Sequence, residues 1–172
     1  GKALSFDGVD DYVQVPHSSS ISINGNSMSI FIYAKTTATR PGSISKRAGT
    51  GNGNYQFSLL EASASWCIQL CLCLGVGGWG CYYSGVNGCG YDGNWHLFGA
   101  LYDGNYVKFY KDGNLVASTA RTDSISDPNN APLYIGSVGA SVDFFNGIID
   151  EVKIYNRALS DQEIKALYDA TK

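Results

Sequence analysis

DGNWHLFGALYDGNYVKFYKDGNLVAS, residues 92–118, contains two Asp-Gly-Asn turns between three runs rich in aromatic and β-branched side chains. The turns are Asp103-Gly104-Asn105 and Asp112-Gly113-Asn114. Asp-Gly between such runs favours a hairpin, because these residues tolerate the positive φ of tight turns. The stretch therefore predicts three consecutive antiparallel strands.

The first of these runs, residues 95–102, alternates with period two and has an apolar face. A sheet with an apolar face must pack against another layer. The convincing helical pattern lies at the end of the chain, where Ser160 and Glu163 form a capping box before Ile164. The other layer is therefore predicted to be a second sheet. The fold class is an all-β, two-sheet antiparallel β-sandwich with a short C-terminal helix.

Composition narrows the class of protein. At 172 residues and 44% hydrophobic content the chain suits one domain over residues 1–172. With 12 basic and 15 acidic residues and no basic run, it lacks the electrostatic signature of a nucleic-acid binder. No apolar run reaches the roughly 20 residues of a membrane span. The 21 glycines and 16% charged residues are typical of a turn-rich extracellular or cell-surface domain.

Further strands are predicted on both sides of the central unit. A strand, an acidic loop and a second strand are expected within residues 3–15, whereas residues 36–47 are expected to form a polar loop. The other predicted strands cover residues 28–34, 55–60, 66–74, 133–136 and 147–155.

Four segments together resemble the laminin G-like group of concanavalin A-like lectin/glucanase domains. They are ALSFDGVDDYVQV (3–15), NWHLFGALYDGNYVKFYKDGNLV (94–116), PLYIGS (132–137) and FNGIIDEVKIYNRALSDQEIKALY (145–168). The resemblance implies a jelly roll whose first and last strands lie side by side. Residues 66–91, which hold all five cysteines, depart from the family pattern.

The resemblance leaves function open, because the group includes carbohydrate-binding modules, adhesion modules and structural domains. Some relatives cleave glycans with carboxylates at alternate positions of one strand, and that motif is absent here. Asp150 and Glu151 are adjacent, so a strand would direct them to opposite faces. His96 is expected to be a half-buried strand residue, not a catalytic base. The chain is predicted not to be an enzyme.

A metal site is predicted in the acidic loop. Asp7, Asp10 and Asp11 lie within five residues and offer the oxygen ligands that Ca2+ prefers. The resemblance adds a carboxylate near the last strand, which corresponds to Asp150, and implies a structural Ca2+. The alternative is an Asx-type turn at Asp7 together with a salt bridge between Glu151 and Arg157.

A carbohydrate or cell-surface glycan is the expected ligand. Sugar sites use exposed aromatic rings, and the unusual region offers Trp79, Tyr82, Tyr83 and Tyr91. Tyr82 and Tyr83 are adjacent, so on a strand one of them must face away from the core.

The cysteines predict disulfides. If residues 66–74 and 79–83 form a hairpin, Cys81 lies opposite Cys71 or Cys73, with Cys73 marginally preferred. Cys89 then pairs with Cys67 or with the remaining strand cysteine. Two bridges leave one thiol, either buried and free or bonded to another chain. The alternative is a reduced intracellular protein whose cysteines pack as small hydrophobic residues.

These observations predict a non-catalytic extracellular module for carbohydrate binding or adhesion. The alternative is a self-assembling structural subunit of an extracellular filament or surface layer, which the odd cysteine count and the low charge would suit.

Overall fold

The computed structural model describes residues 2–38, 42–47, 55–59, 69–74, 78–83, 91–122, 124–125, 130–139 and 143–171; for residues 47, 55–58, 69–74 and 78–83 it describes the backbone. The strands in chain order are β1 (Leu4–Asp7), β2 (Val13–Val15), β3 (Met28–Lys35), β4 (Ile44–Arg47), β5 (Tyr55–Leu59), β6 (Gln69–Leu74), β7 (Gly78–Tyr83), β8 (Trp95–Tyr102), β9 (Tyr106–Lys111), β10 (Asn114–Ala120), β11 (Leu133–Ile135) and β12 (Asn146–Tyr155). A 3₁₀ turn covers Ser19–Ile21, and one α-helix, α1, covers Asp161–Asp169.

The strands form two antiparallel sheets, as predicted. One sheet has the order β1-β12-β3-β8-β9-β10 and the other the order β2-β11-β4-β5-β6-β7. β1 and β12, the first and last strands, are paired, which confirms the arrangement implied by the family resemblance.

The central unit β8-β9-β10 is three consecutive antiparallel strands, as its turns predicted. Asp112 and Gly113 both have positive φ, 51° and 77°, which is the requirement of a two-residue type I′ hairpin. Asp103 forms the longer turn by accepting hydrogen bonds from the backbone N–H groups of Asn105 and Tyr106.

Strand β8 is buried on both faces. Phe98, Ala100 and Tyr102 belong to the core between the sheets. Leu97 and Leu101 belong to a second cluster, with Leu159 and Ile164, that lies under the C-terminal helix. The period-two pattern of β8 correctly predicted that one face lies in the core between the sheets. The opposite face of β8 is also apolar because the C-terminal helix packs on it.

The helix begins where the sequence predicted. Ser160 and Glu163 form a complete capping box, and Ile164 is the fully buried residue of the helix. Tyr110 donates a hydrogen bond from its hydroxyl to Asp161 Oδ1 at 2.8 Å, which ties the first turn of the helix to the sheet.

The polar-loop prediction for residues 36–47 was wrong at its C-terminal end, where β4 covers Ile44–Arg47. β4 pairs on one side with β11 and on the other with β5, so it is an interior strand. Serine hydroxyls reach buried backbone carbonyls here: Ser43 donates to Leu59 O at 2.7 Å and Ser45 to Ser137 O at 3.1 Å. The polar sequence of this segment did not indicate an interior strand. Its serines can be buried because their hydroxyls donate hydrogen bonds to residues far along the chain.

Candidate functional site

The acidic loop between β1 and β2 brings Asp7, Asp10 and Asp11 together. One carboxylate oxygen from each lies within 4.8 Å of the others, and all three residues are exposed. Asp7 Oδ1 accepts a hydrogen bond from Val9 N at 2.8 Å, which is the Asx-type turn considered above. Asp11 Oδ2 accepts from Asp7 N at 3.1 Å and closes the loop. The loop is thus ordered by its own hydrogen bonds, and Asp10 takes no part in them.

Asp150 does not join this cluster, contrary to the expectation from the resemblance. In the β1-β12 register Asp7 lies opposite Asn146, and Asp150 is four residues further along β12. Four strand residues span about 13 Å. Asp150 instead accepts a hydrogen bond from Glu151 N at 2.9 Å, beside a bulge at which Glu151 has φ 50°.

Asn146 is the residue of the last strand that meets the acidic loop. A Cβ atom built on Gly8 would lie 2.9 Å from Asn146 Cβ, so the loop passes directly against this side chain. Gly8 also has φ 82°, so glycine suits this position for two independent reasons.

The alternative salt bridge between Glu151 and Arg157 is not formed. Glu151 pairs with Lys153. Arg157 instead makes two hydrogen bonds to Glu163, at 2.6 and 3.0 Å.

Asn146 also borders a cavity of about 170 Å³, which is lined by residues 35–37, Gly93 and residues 146–148. It forms where β3 ends and β8 and β12 begin, because β3 runs antiparallel to both neighbours. Gly93 N donates to Thr36 O at 3.1 Å, and Thr36 Oγ1 donates to Asn146 O at 2.5 Å. These bonds hold the three loops that form its wall.

An aromatic pair stands beside this cavity. Trp95 lies opposite Lys35 in the β3-β8 register. Its ring stacks on Tyr33, with ring centroids 4.8 Å apart and planes 14° from parallel. Both side chains are half-buried, and Tyr33 also packs against the cluster under α1. Burial, followed by the charges of Tyr168 and Asp112, raises the pKa of Tyr33, so its hydroxyl stays protonated near neutral pH.

The polar groups around the cavity are available to a ligand. Within the described part of the chain, no side-chain hydrogen bond or ion pair engages Lys35, Thr37 or Asn146. The same holds for the indole N–H of Trp95 and the hydroxyl of Tyr33. We call the surface formed by Tyr33, Lys35, Thr37, Trp95 and Asn146 the rim groove. It combines a stacked aromatic pair with hydrogen-bonding side chains that line the neighbouring cavity, as small polar ligands require.

His96 anchors the loop that supplies Gly93. Its Nδ1 lies 2.7 Å from Asp112 Oδ2 and its Nε2 lies 3.2 Å from Asp92 Oδ1. A carboxylate accepts hydrogen bonds, so each ring nitrogen is placed to donate. The N–H groups of Asn94, and then His96, lower the pKa of Asp92 to about 2. The half-buried strand position expected for His96 is confirmed, and its two partners join the loop to the β9-β10 turn.

The aromatic residues predicted to bind ligand do not form this groove. The side chains of Trp79, Tyr82 and Tyr83 lie outside the described part of the structure, although their backbone forms β7. Tyr91 packs against the core, with its ring 6.2 Å from that of Phe98, and burial raises its pKa to about 12. Tyr91 is therefore a packing residue and not an open stacking platform.

The cysteine hairpin is formed by β6 and β7. Its register places Cys71 opposite Cys81, and Cys73 opposite Trp79. The marginal preference for Cys73 opposite Cys81 was wrong, because β7 begins at Gly78 and the turn is one residue shorter than expected. Cys67 and Cys89 lie outside the described residues.

A laminin G-like family model described as the Concanavalin A-like lectin/glucanases superfamily matches residues 7–165. The chain belongs to this superfamily. No curated protein matches the sequence.

Several solved structures resemble this chain in fold but have low sequence identity to it. Domain 4 of AbnA, a GH43 extracellular arabinanase from Geobacillus stearothermophilus solved with arabinotriose, matches with a TM-score of 0.72 at 22% identity over 98% of this chain and 77% of that chain. The CBM40 of the Ruminococcus gnavus IT-sialidase, bound to α2,3-sialyllactose, gives 0.69 at 18% identity over 97% and 98%. Domains LG4-5 of the mouse laminin α1 chain give 0.66 at 16% identity, and the match covers 93% of this chain and 44% of that one. At these identities the likeness shows the fold.

The rim groove was not predicted from the sequence. Tyr33 and Trp95 lie in strong strands and read as core residues, and Lys35 and Thr37 lie at the boundary of a predicted loop. One signal was present: Trp95 follows Asp92-Gly93-Asn94, so it stands at the start of its strand, where a large ring is less completely covered.

Proposed function

We propose that the chain is a non-catalytic carbohydrate-binding module and that the rim groove is its sugar site. The observation that supports this most directly is the Tyr33-Trp95 stack beside a cavity whose Lys35, Thr37 and Asn146 side chains have no partner among the described residues. Sugar rings present apolar C–H faces edged by hydroxyls, which matches an aromatic surface surrounded by donors and acceptors.

The pairing of the two described glutamates supports a non-catalytic role. A glycosidase needs two carboxyl groups about 5–9.5 Å apart across its substrate, one of them a free acid. Glu151 and Glu163 are instead paired with Lys153 and Arg157. Both ring nitrogens of His96 face carboxylates, which leaves neither to activate a hydroxyl or thiol nucleophile.

The acidic loop is proposed to bind one Ca2+. Asp7, Asp10 and Asp11 supply three oxygen-bearing side chains within reach of one ion, and hard oxygen ligands with flexible geometry are what Ca2+ takes. Asn146, opposite Asp7, offers an amide oxygen, whereas Asp150 is placed away from the site. A bound ion would neutralise the mutual repulsion of the carboxylates and fix the loop against β12.

An extracellular setting is also proposed. The low charge and turn-rich composition suit it, and the arabinanase that contains one of the similar domains is itself described as extracellular. Within the described residues no helix is long and apolar enough to cross a membrane.

The proposal is tested by screening the protein against an array of neutral and acidic oligosaccharides and by calorimetric titration with the strongest binder. Trp95→Ala should weaken binding about tenfold, the loss expected for one aromatic contact. Thr37→Ala removes an exposed side chain that makes no hydrogen bond within the described structure, so it should weaken binding while leaving the fold intact. Tyr106→Ala, which removes an exposed ring on β9, is the matched control. Unchanged affinity in both groove variants would contradict the proposal.

A further inference from the structure

The cavity of the rim groove has a single charged lining residue, Lys35. Three other lysines of the described structure are paired with carboxylates: Lys108 with Asp103, Lys153 with Glu151 and Lys165 with Asp169. Lys35 has no such partner. The cavity therefore carries an uncompensated positive charge.

The register fixes where this charge lies. Lys35 is flanked by Ile148 on β12 and by Trp95 on β8. Lys35 is half-buried between these neighbours and lines the cavity, and a lysine in such a position packs its aliphatic stem along apolar side chains while its ammonium group stays in contact with solvent. An ammonium beside apolar side chains is less screened than one fully in water, so its attraction for an anion is stronger.

The other groups at the cavity also suit an anion. Thr37 and Asn146 can both donate hydrogen bonds, and no carboxylate lines the cavity. Thr36 does not contribute, because its hydroxyl already donates to Asn146 O and accepts from Ala38 N.

We infer that the rim groove selects acidic sugars, with the carboxylate or sulfate of one residue bound by Lys35 and an adjoining sugar ring stacked on Trp95; the inference rests on the proposed carbohydrate site. Lysine is a point charge and does not distinguish a planar carboxylate from a tetrahedral sulfate. Facing residues on antiparallel strands have Cβ atoms about 5 Å apart, so Lys35 and Trp95 can contact neighbouring units of one oligosaccharide.

The test uses ligand pairs that differ in charge. Trigalacturonic acid is compared with its methyl ester, and a sulfated galactan oligosaccharide with its desulfated form, by calorimetry. The acidic loop lies beyond Asn146 and its charge would oppose an anion, so each titration is made both in excess Ca2+ and in chelator. Wild-type protein should bind at least one charged form about tenfold more tightly than its neutral partner, the effect of one charge-assisted hydrogen bond.

Three variants make the result specific. Lys35→Gln should abolish the preference for the charged form, and Lys35→Arg should keep it. Lys2→Gln removes one exposed charge near the far end of β1 and should change nothing, which controls for net charge. A preference for the carboxylate pair alone or for the sulfate pair alone identifies the anion.

The inference is overturned if no charged form is preferred, or if Lys35→Gln keeps the preference. Neutral glycans that bind wild-type protein and are lost in Trp95→Ala would, in that case, leave the proposed sugar site standing. No binding by any charged or neutral glycan would overturn both.

Discussion

At the scale of single residues, His96 shows how a polar strand side chain can have a structural role next to the rim groove. Its bond to Asp112 is 2.7 Å long, and the two side chains are 15% and 22% exposed. Asp112 Oδ1 also accepts from Leu97 N at 3.0 Å, so this carboxylate holds both the strand and the imidazole. The sequence indicated a strand residue, but the partners come from two different turns and only the tertiary register brings them together.

His96→Phe should therefore destabilise the fold. The change keeps an aromatic ring but leaves Asp112 with an unmatched acceptor, at a cost of about 1–3 kcal/mol. For a chain of this length, each 1 kcal/mol lowers Tm by about 2–4 °C. Thermal unfolding followed by circular dichroism measures this. Asp92→Asn is the control, because Asp92 is half-exposed and its effect should be smaller. Equal Tm values for wild type and His96→Phe would contradict this role.

At the scale of elements, the β1-β2 loop gives the calcium proposal its sharpest test. Asp10→Asn removes one charge without breaking a hydrogen bond within the loop, since Asp7 and Asp11 accept all of those that are described. A ligand that binds the native state stabilises it by about 2.7 kcal/mol at a hundredfold excess over its Kd. Excess Ca2+ should raise the Tm of wild-type protein, and Asp10→Asn should reduce this increase.

The matched control is Asp150→Asn, which lies away from the cluster. It should respond to Ca2+ as the wild type does. A Tm that is the same in Ca2+ and in chelator would leave the acidic loop as a self-bonded turn.

The C-terminal helix predicts a specific dependence of stability on pH. Hydrogen bonds from Arg157, and then from the backbone N–H of Ser160, lower the pKa of Glu163 from 4.5 to about 2. Because the folded-state pKa is the lower one, the contribution to stability is complete above about pH 4.5 and is lost as the pH falls through 2. Between pH 5 and pH 2, the Tm of Glu163→Gln should therefore decrease less than the Tm of the wild-type protein. Parallel curves for the two proteins would refute this interpretation.

Elements were predictable from the sequence where their signal is local. The Asp-Gly hairpins, the capping box and the period-two strands depend on neighbouring residues, and they are confirmed wherever they fall on described residues. The strand β4 and the register of β12 depend on partners far along the chain. Ser45 donates a hydrogen bond to Ser137 O, and Asp7 lies opposite Asn146 and not near Asp150. Local sequence patterns could therefore indicate neither the strand β4 nor the register of β12.

At the scale of the whole molecule, the oxidation state of the cysteines depends on the compartment in which the protein folds. Facing residues on antiparallel strands are close enough for a disulfide after a modest adjustment, and Cys71 faces Cys81. We therefore expect a Cys71-Cys81 bridge in protein from an oxidising compartment. Chymotryptic digestion without reduction separates Cys71 from Cys73 at Leu72, and mass spectrometry identifies the linked peptides.

The same experiment addresses self-assembly. Five cysteines cannot all pair within one chain. A reducible dimer or polymer would favour the self-assembling subunit over the binding module. Five free thiols in freshly isolated protein would contradict the oxidised state altogether.

The central claim is that a carbohydrate binds at the rim groove, and the indole N–H signals of the tryptophans in a 15N-1H NMR spectrum test it most directly. The chain has three tryptophans, Trp66, Trp79 and Trp95, and a Trp95→Phe variant assigns the signal of interest. Titration with the tightest-binding oligosaccharide of the array should shift the Trp95 signal saturably and leave the other two in place. A shift of Trp79 with Trp95 unmoved would place the ligand on β7 and contradict the claim.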